Sequence, residues 1–246
     1  MHLLKKKEGS SKDNTIFQEL TVDLHSHLLP SLDDGASSIE ESLEMICGLK
    51  ELGFSKLIIT PHICRDYYNN SAENIREAFQ KFSANPKVRD CEIALEVAAE
   101  YRLDDYFIEL LNRGDLLSFG GNHILVELPF FDAPRFINEI IFELQIRGYN
   151  VVLAHPERYL YWKADFSRFL DLKDRDVYFQ VNLMSFAGYY NPHAKKLANR
   201  FAAEGMIDFL GSDLHTPSAL AVIKELPAEK ELNRLVSSGA IRNKRL

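Results

Sequence analysis

Thr21-Val22-Asp23-Leu24-His25-Ser26-His27 is the stretch on which the reading of this chain turns. In an extended segment residues i and i+2 point to the same face, so His25 and His27 can share one metal ion if this strand's end lines a pocket. The pattern recurs. Apolar runs ending in ligand-type residues follow at Leu57-Ile58-Ile59-Thr60-Pro61-His62, Ala94-Leu95-Glu96-Val97-Ala98-Ala99-Glu100, Ile124-Leu125-Val126-Glu127, Val151-Val152-Leu153-Ala154-His155 and Ile207-Asp208-Phe209-Leu210-Gly211-Ser212-Asp213-Leu214-His215. A lone histidine at a strand end is more often a packed core or loop residue than a ligand. Six strands that each present a ligand type at the carboxyl end describe a metal centre at a barrel mouth.

Working outward, strands are expected at 21–27, 56–61, 91–99, 123–128, 150–154, 177–182 and 207–211. Helices are expected near 38–52, 72–84, 104–112, 134–147, 192–204, 217–225 and 228–237, with helical turns between 157 and 172. Ser37 or Ser38 can cap the first of these helices, where Glu40, Glu41 and Glu44 suit the dipole, and Gly53 ends it. Alternation of this kind gives about seven β/α units with right-handed connections, an α/β fold of the TIM-like (β/α)7 barrel type. An open doubly wound sheet is the alternative, but ligands at six strand ends converge only if the sheet closes. Residues 1–18 are polar and lysine-rich without periodicity and read as a flexible tail, leaving 19–246 as one domain.

The 246 residues are 46% hydrophobic and 26% charged, as in ordinary globular chains. No apolar run reaches the length of a membrane span, and the first residues lack a signal peptide's apolar stretch, so a cytoplasmic protein without membrane insertion is expected. A formal charge of −7 argues against nucleic-acid binding. Neither a P-loop nor a G-x-G-x-x-G motif is present, which leaves nucleotide binding without support. Cys47, Cys64 and Cys91 make no C-x-x-C pair, and the positions six residues after them hold Gly53, Asn70 and Val97. A cysteine phosphatase needs arginine there, so that mechanism is excluded.

His-x-His, Asp33-Asp34-Gly35, Thr60-Pro61-His62, the lone Glu100, His155-Pro156-Glu157-Arg158 and Ser212-Asp213-Leu214-His215 together resemble the PHP (polymerase and histidinol phosphatase) superfamily. More narrowly, Asp23 to Ala36, Ile59-Thr60-Pro61-His62 and Ala154 to Tyr159 are similar to the capsule-type bacterial protein-tyrosine phosphatases. The resemblance spans roughly residues 21 to 225. It implies a distorted barrel with a trinuclear site held by His25, His27, Asp34, His62, Glu100, Glu127, His155, Asp213 and His215. By the family pattern Asp34 is the ligand and Asp33 its structural neighbour; spacing alone does not choose between them. Asp23 reads as support or a strand-end cap.

The implied activity is metal-dependent hydrolysis of phosphotyrosine by a metal-bridging hydroxide. The implied substrate is the tyrosine-rich tail of a kinase controlling exopolysaccharide or capsule synthesis. Mixed histidine and carboxylate ligation suits divalent manganese foremost, with iron or zinc as alternatives. The four acids Asp34, Glu100, Glu127 and Asp213 contribute −4 against +6 from three divalent ions, leaving about +2 to attract a phosphate dianion.

Arg158, three residues past His155, is the candidate catalytic residue outside the ligand set, because a guanidinium can hold phosphate oxygens bidentately. A rim salt bridge is the competing role, and Arg65 is a weaker phosphate candidate. His2, His123 and His193 read as non-ligands, and Tyr159 to Trp162 as packing or an entry wall. A small-molecule PHP phosphoesterase, for instance on histidinol phosphate, would share every ligand. An amidohydrolase would place a metal-bridging lysine on a middle strand, where this chain has Glu100 and Glu127. A non-catalytic metal-binding regulatory module would be signalled by a missing ligand, and none of the nine positions is missing.

Overall fold

The computed structural model describes residues 15–246. Helix α1 (Thr15–Leu20) leads into β1 (Val22–Asp23), α2 (Ile39–Leu52), β2 (Lys56–Ile59), β3 (His62–Ile63), α3 (Ala72–Ala84), α4 (Pro86–Arg89), β4 (Ala94–Val97) and β5 (Glu100–Arg102). Then come α5 (Asp105–Arg113), β6 (His123–Glu127), α6 (Ile137–Ile146), β7 (Asn150–Ala154), 3₁₀ turns at Pro156–Arg158 and Leu160–Trp162, and α7 (Ser167–Lys173). The chain continues through β8 (Tyr178–Asn182), α8 (Leu183–Ala187), α9 (Pro192–Ala203), β9 (Phe209–Gly211), α10 (Leu220–Glu225) and α11 (Lys230–Ser237). The first major helix starts and stops where its residues dictate. The Ser38 side chain accepts from the Glu41 N–H, and Gly53 turns left-handed at φ 115° to end α2.

All ladders between named strands are parallel, in the orders β1-β2-β4 and β3-β5-β6-β7-β8-β9. Seven strands were expected, and the extra two come from interruptions. The strand expected at 56–61 ends at Ile59 as β2, and pairing resumes beyond Thr60-Pro61, where proline has no N–H to give, as β3. The strand expected at 91–99 begins only at Ala94, after the left-handed Glu92, and resumes as β5 with Glu100 as its first residue. Pairing crosses both breaks, through Ala98 N–H to Ile59 O (2.9 Å) and Glu100 N–H to Pro61 O (3.1 Å). At the seam Ser26 bridges Leu214 in parallel, His27 N–H donates to Leu214 O (3.0 Å) and Asp213 N–H to His25 O (2.7 Å). The first strand thus meets the last, and the ring closes into a distorted TIM-like barrel.

Strand alternation sorts the core into two layers. Ile124, Val126, Val151, Leu153, Phe179 and Val181 pack outward against the helices. Leu125, Val152, Ala154, Ala98 and Ile58 fill the barrel interior. The inward parity then turns polar toward the carboxyl ends: Leu125 is followed by Glu127, Ala98 by Glu100, and Tyr178 by Gln180 and Asn182. A polar pocket on an apolar plug results.

Residues 15–18, expected in the tail, are helical instead, and residues 1–14 lie outside the described part. Apolar burial decides this. Ile16 and Phe17 are 1% and 0% exposed, and Phe17 lies against Phe54 with ring centroids 5.3 Å apart. Phe17→Ala is expected to cost about 3–5 kcal/mol of folding free energy, as a buried phenyl deletion does, read as a shift of the urea unfolding midpoint. A loss under about 1 kcal/mol would return this segment to the tail. Among the described residues no helix is long and apolar enough to cross a membrane.

Candidate metal centre

At the carboxyl rim, inward side chains from most of the strands and their following loops meet. His25 Nε2 stands 3.2 Å from His27 Nε2 and 3.1 Å from Glu100 Oε2. Glu100 Oε2 also lies 3.1 Å from His62 Nδ1, while its Oε1 lies 2.9 Å from His155 Nε2. Asp213 Oδ1 is 3.4 Å from His25 Nε2 and 3.4 Å from His215 Nδ1. Asp34 Oδ1 faces His62 Nε2 and His215 Nε2, each at 3.5 Å, and Glu127 Oε1 is 3.7 Å from His62 Nδ1. All nine ligand positions expected from the sequence therefore come together in one site.

Seven of the nine fall into three overlapping groups able to hold an ion: His25-His27-Glu100, His62-Glu100-Glu127 and His27-Asp34-His62-His215. His155 and Asp213 border these groups through Glu100 and through His25. The spacing fits metal ligation, since bonds of about 2.1 Å at tetrahedral angles separate ligand atoms by about 3.4 Å. One further detail fits: His155 Nδ1 is buried without a hydrogen-bond partner.

Neighbouring groups orient the imidazoles. His25 Nδ1 donates to Gln180 Oε1 (2.8 Å) and His27 Nδ1 to Asp33 Oδ2 (2.7 Å), which in the neutral rings leaves each Nε2 lone pair facing the site. Asp33 also accepts from the backbone N–H of Gly35 (3.0 Å) and His62 (3.0 Å). Its oxygens are committed to holding the turn, whereas Asp34 points at histidines. Gly35 is required there, because a Cβ would lie 2.2 Å from His27 O. Asp23 fastens the same seam between first and last strands, accepting from Ser212 N–H (2.7 Å) and Ser212 Oγ–H (2.6 Å).

The electrostatics call for cations. Burial would push His25 down, but Glu100 and Asp213 override it and hold the imidazole up to about 9. His27 is likewise raised against its burial, by Asp33 and Glu100. Burial and the Glu100 charge push the Glu127 carboxyl up to about 8. Burial would also raise Glu100, yet His25, His62 and His155 keep it well below the usual carboxylate range. Burial lowers His62 to about 4, beyond what Glu100 can restore. Carboxylates that hold protons on buried imidazoles would hold divalent cations in their place, with release of those protons. His155 and Asp213 both adopt left-handed backbone, at φ 35° and 51°, a sparsely populated conformation for non-glycine residues that recurs at functional sites.

Arg158 makes an ion pair at the rim and also borders a cleft. Its Nη1 donates to Asp213 Oδ2 (3.0 Å), and its guanidinium lies 4.8 Å from the Phe130 ring and 4.4 Å from the Tyr190 ring. It also lines a cleft of ≈ 280 Å³ with Asp34, Tyr189, Tyr190, Asp213 and His215. Arg65 is committed elsewhere, to Glu109 (2.8 Å) and the Tyr106 ring. His123 packs against Phe119 and Phe209 inside the barrel, and His193 sits in α9. Tyr159 is a packing residue, fully buried, with its hydroxyl bonded to Ala154 O and Leu128 N–H.

Sequence reasoning missed Gln180, Asn182 and Tyr190. Gln180 Nε2 donates to Asn182 Oδ1 (2.9 Å), and Asn182 Nδ2 donates to Asp213 Oδ2 (2.6 Å). The Tyr190 hydroxyl is 3.2 Å from the same oxygen. A signal existed: Gln180 and Asn182 repeat, on an apolar strand, the i, i+2 spacing of His25 and His27.

Residues 21–222 match the family described as capsular polysaccharide synthesis, CpsB/CapC. The tyrosine-protein phosphatase YwqE of Bacillus subtilis (strain 168) is 30% identical over 195 residues, which cover 79% of this chain and 77% of YwqE. A crystal structure from a study of YwqE and of Streptococcus pneumoniae CpsB, described as metal-dependent tyrosine phosphatases, superposes with a TM-score of 0.74 at 29% identity. It covers 90% of this chain and 96% of that one. Histidinol phosphate phosphatase from Lactococcus lactis shares the fold alone, with a TM-score of 0.53 at 13% identity over 90% of this chain and 95% of that one.

Proposed function

Because the chain belongs to the capsular polysaccharide synthesis CpsB/CapC family, we propose that it is a metal-dependent protein-tyrosine phosphatase acting in the cytoplasm. The observation that carries this reading is the convergence of seven ligand-type side chains in three groups, bordered by His155 and Asp213, beside a cleft that Arg158 lines. His25, His27 and Glu100, then His62 with Glu100 and Glu127, then His27, Asp34, His62 and His215 would hold up to three divalent ions, with His155 and Asp213 completing the shell. Manganese is the first candidate, with iron or zinc as alternatives. When bound, such ions supply Lewis-acid charge and an activated water for attack at phosphorus.

The chain's own residues do the rest. Arg158, held in place by Asp213 and by two aromatic faces, offers its remaining N–H groups to the phosphoryl oxygens. Tyr189 and Tyr190 wall the cleft for the substrate's phenyl ring. A tyrosine leaves as a phenolate whose conjugate acid has a pKa of about 10, so a strong general acid is not needed. Burial raises the Cys64 thiol, which disfavours its nucleophilic thiolate, and Cys47 and Cys91 face each other at 3.7 Å.

The substrate proposed is the tyrosine-rich tail of a kinase governing exopolysaccharide or capsule synthesis. Phosphate release from a phosphotyrosine peptide, measured with and without added Mn²⁺ and alongside histidinol phosphate, tests the reading. Mn²⁺-dependent turnover of the peptide, exceeding that of histidinol phosphate, is expected. Preference for histidinol phosphate would move the protein to the small-molecule phosphoesterases.

A further inference from the structure

Two clefts open at the barrel mouth and meet at Asp34. The one containing Arg158 is built from the later half of the ring, by residues following β7, β8 and β9. The other, of ≈ 150 Å³, is built from the earlier half, with His62, Cys64, Tyr67, Arg102, Glu127 and Phe130 on its walls. Arg102 ends β5, two residues after Glu100, and is in register with Glu127 on the neighbouring strand. Its side chain is half-buried. Nη1 lies 3.8 Å from Cys64 Sγ, and the guanidinium is 5.1 Å from the ring of Tyr67, itself 64% exposed.

Among the described residues Arg102 has no carboxylate oxygen within 4 Å, in contrast to Arg158 on Asp213 and Arg65 on Glu109. A guanidinium partly withdrawn from water, held by a ring and a thiol, and within the field of Glu127 but with no carboxylate in direct contact, keeps N–H groups for the oxygens of a bound partner. The chain's net charge of −7 gives an acidic partner no long-range attraction, so such a partner must be selected by local cations.

Resting on the phosphatase reading, we propose that Arg102 determines specificity by binding a carboxylate side chain within two residues of the phosphotyrosine. The phosphotyrosyl group occupies the larger cleft beside Arg158. An extended peptide crossing Asp34 delivers its neighbouring residue to the smaller cleft, since consecutive Cα atoms are about 3.8 Å apart. Arg102 ends β5 and Arg158 follows β7, with β6 between them, and each lines its own cleft, so they serve different groups of one substrate.

The test pairs two phosphotyrosine peptides, identical except for glutamate or glutamine on both sides of the phosphotyrosine, against the Mn²⁺-loaded wild type, Arg102→Gln and Arg102→Lys. The wild type is expected to favour the glutamate peptide about tenfold in kcat/KM, with the difference mainly in KM. Arg102→Gln should reduce that ratio to near one, and Arg102→Lys should keep part of it. The ratio is insensitive to partial loss of active protein, because both peptides report on the same preparation. A wild type indifferent to the flanking charge, or an Arg102→Gln enzyme that keeps the preference, overturns the proposal. Hydrolysis of neither peptide by the wild type would instead overturn the phosphatase reading beneath it.

Discussion

Glu100→Gln is expected to strip the site of metal and lower phosphotyrosine turnover by at least about 10³-fold, in line with the loss of a principal electrostatic element of a catalytic site. Glu100 is the hub of the cluster, since its two oxygens meet His25, His62 and His155 within 3.1 Å and it belongs to two of the three candidate groups. Glutamine preserves the volume but removes one charge and turns an N–H₂ toward imidazole nitrogens. Breaking a buried charge cluster by removing one partner is strongly destabilising to the arrangement that remains. Chelation of the wild type should abolish activity in the same way, with Mn²⁺ restoring it, whereas added Mn²⁺ should not rescue Glu100→Gln. Elemental analysis and kinetics on one preparation decide the matter. A variant that keeps full metal and a rate within tenfold of wild type would remove Glu100 from the centre of the site.

Arg158→Ala should leave metal content intact and lower kcat by about 10²–10³, the usual effect of deleting one donor aimed at developing transition-state charge. Metal should be retained because Asp213 Oδ2 keeps two other contacts, Asn182 Nδ2 at 2.6 Å and the Tyr190 hydroxyl at 3.2 Å. Arg158→Lys should rescue poorly. An ammonium cannot donate to Asp213 and present a planar fork to phosphate together, and it loses stacking between Phe130 and Tyr190. Near-normal kcat and KM in Arg158→Ala would reduce the residue to a rim salt bridge.

The helices were largely legible because their ends carry local chemistry. Ser38 and Gly53 bound α2, and Asp104 and Gly114 bound α5, through contacts within a few residues. Helix α1 was not, because six residues are too few to show a helical period, and they owe their order to Phe54 and the core. The strand breaks at Thr60-Pro61 and after Val97 escaped notice for a related reason. An apolar run shows that a segment is extended, but the ladder partner decides where pairing starts and stops.

The sequence by itself determined the seven-unit alternation and the placing of histidines and carboxylates at strand ends. Both follow from periods of 3.6 and 2 that each segment carries internally. Tertiary structure alone decided what depends on partners distant in the chain. It closed the ring through Ser26 and Leu214, separated Asp33 on His27 from Asp34 on His62 and His215, and put Gln180 behind His25. It also left Arg102, among the described residues, with no carboxylate in direct contact, while giving Arg158 to Asp213. Spacing along the chain specifies which face a side chain occupies. Only the packed barrel specifies which groups from other strands face it, and those groups set the charge, orientation and proton affinity on which the chemistry depends.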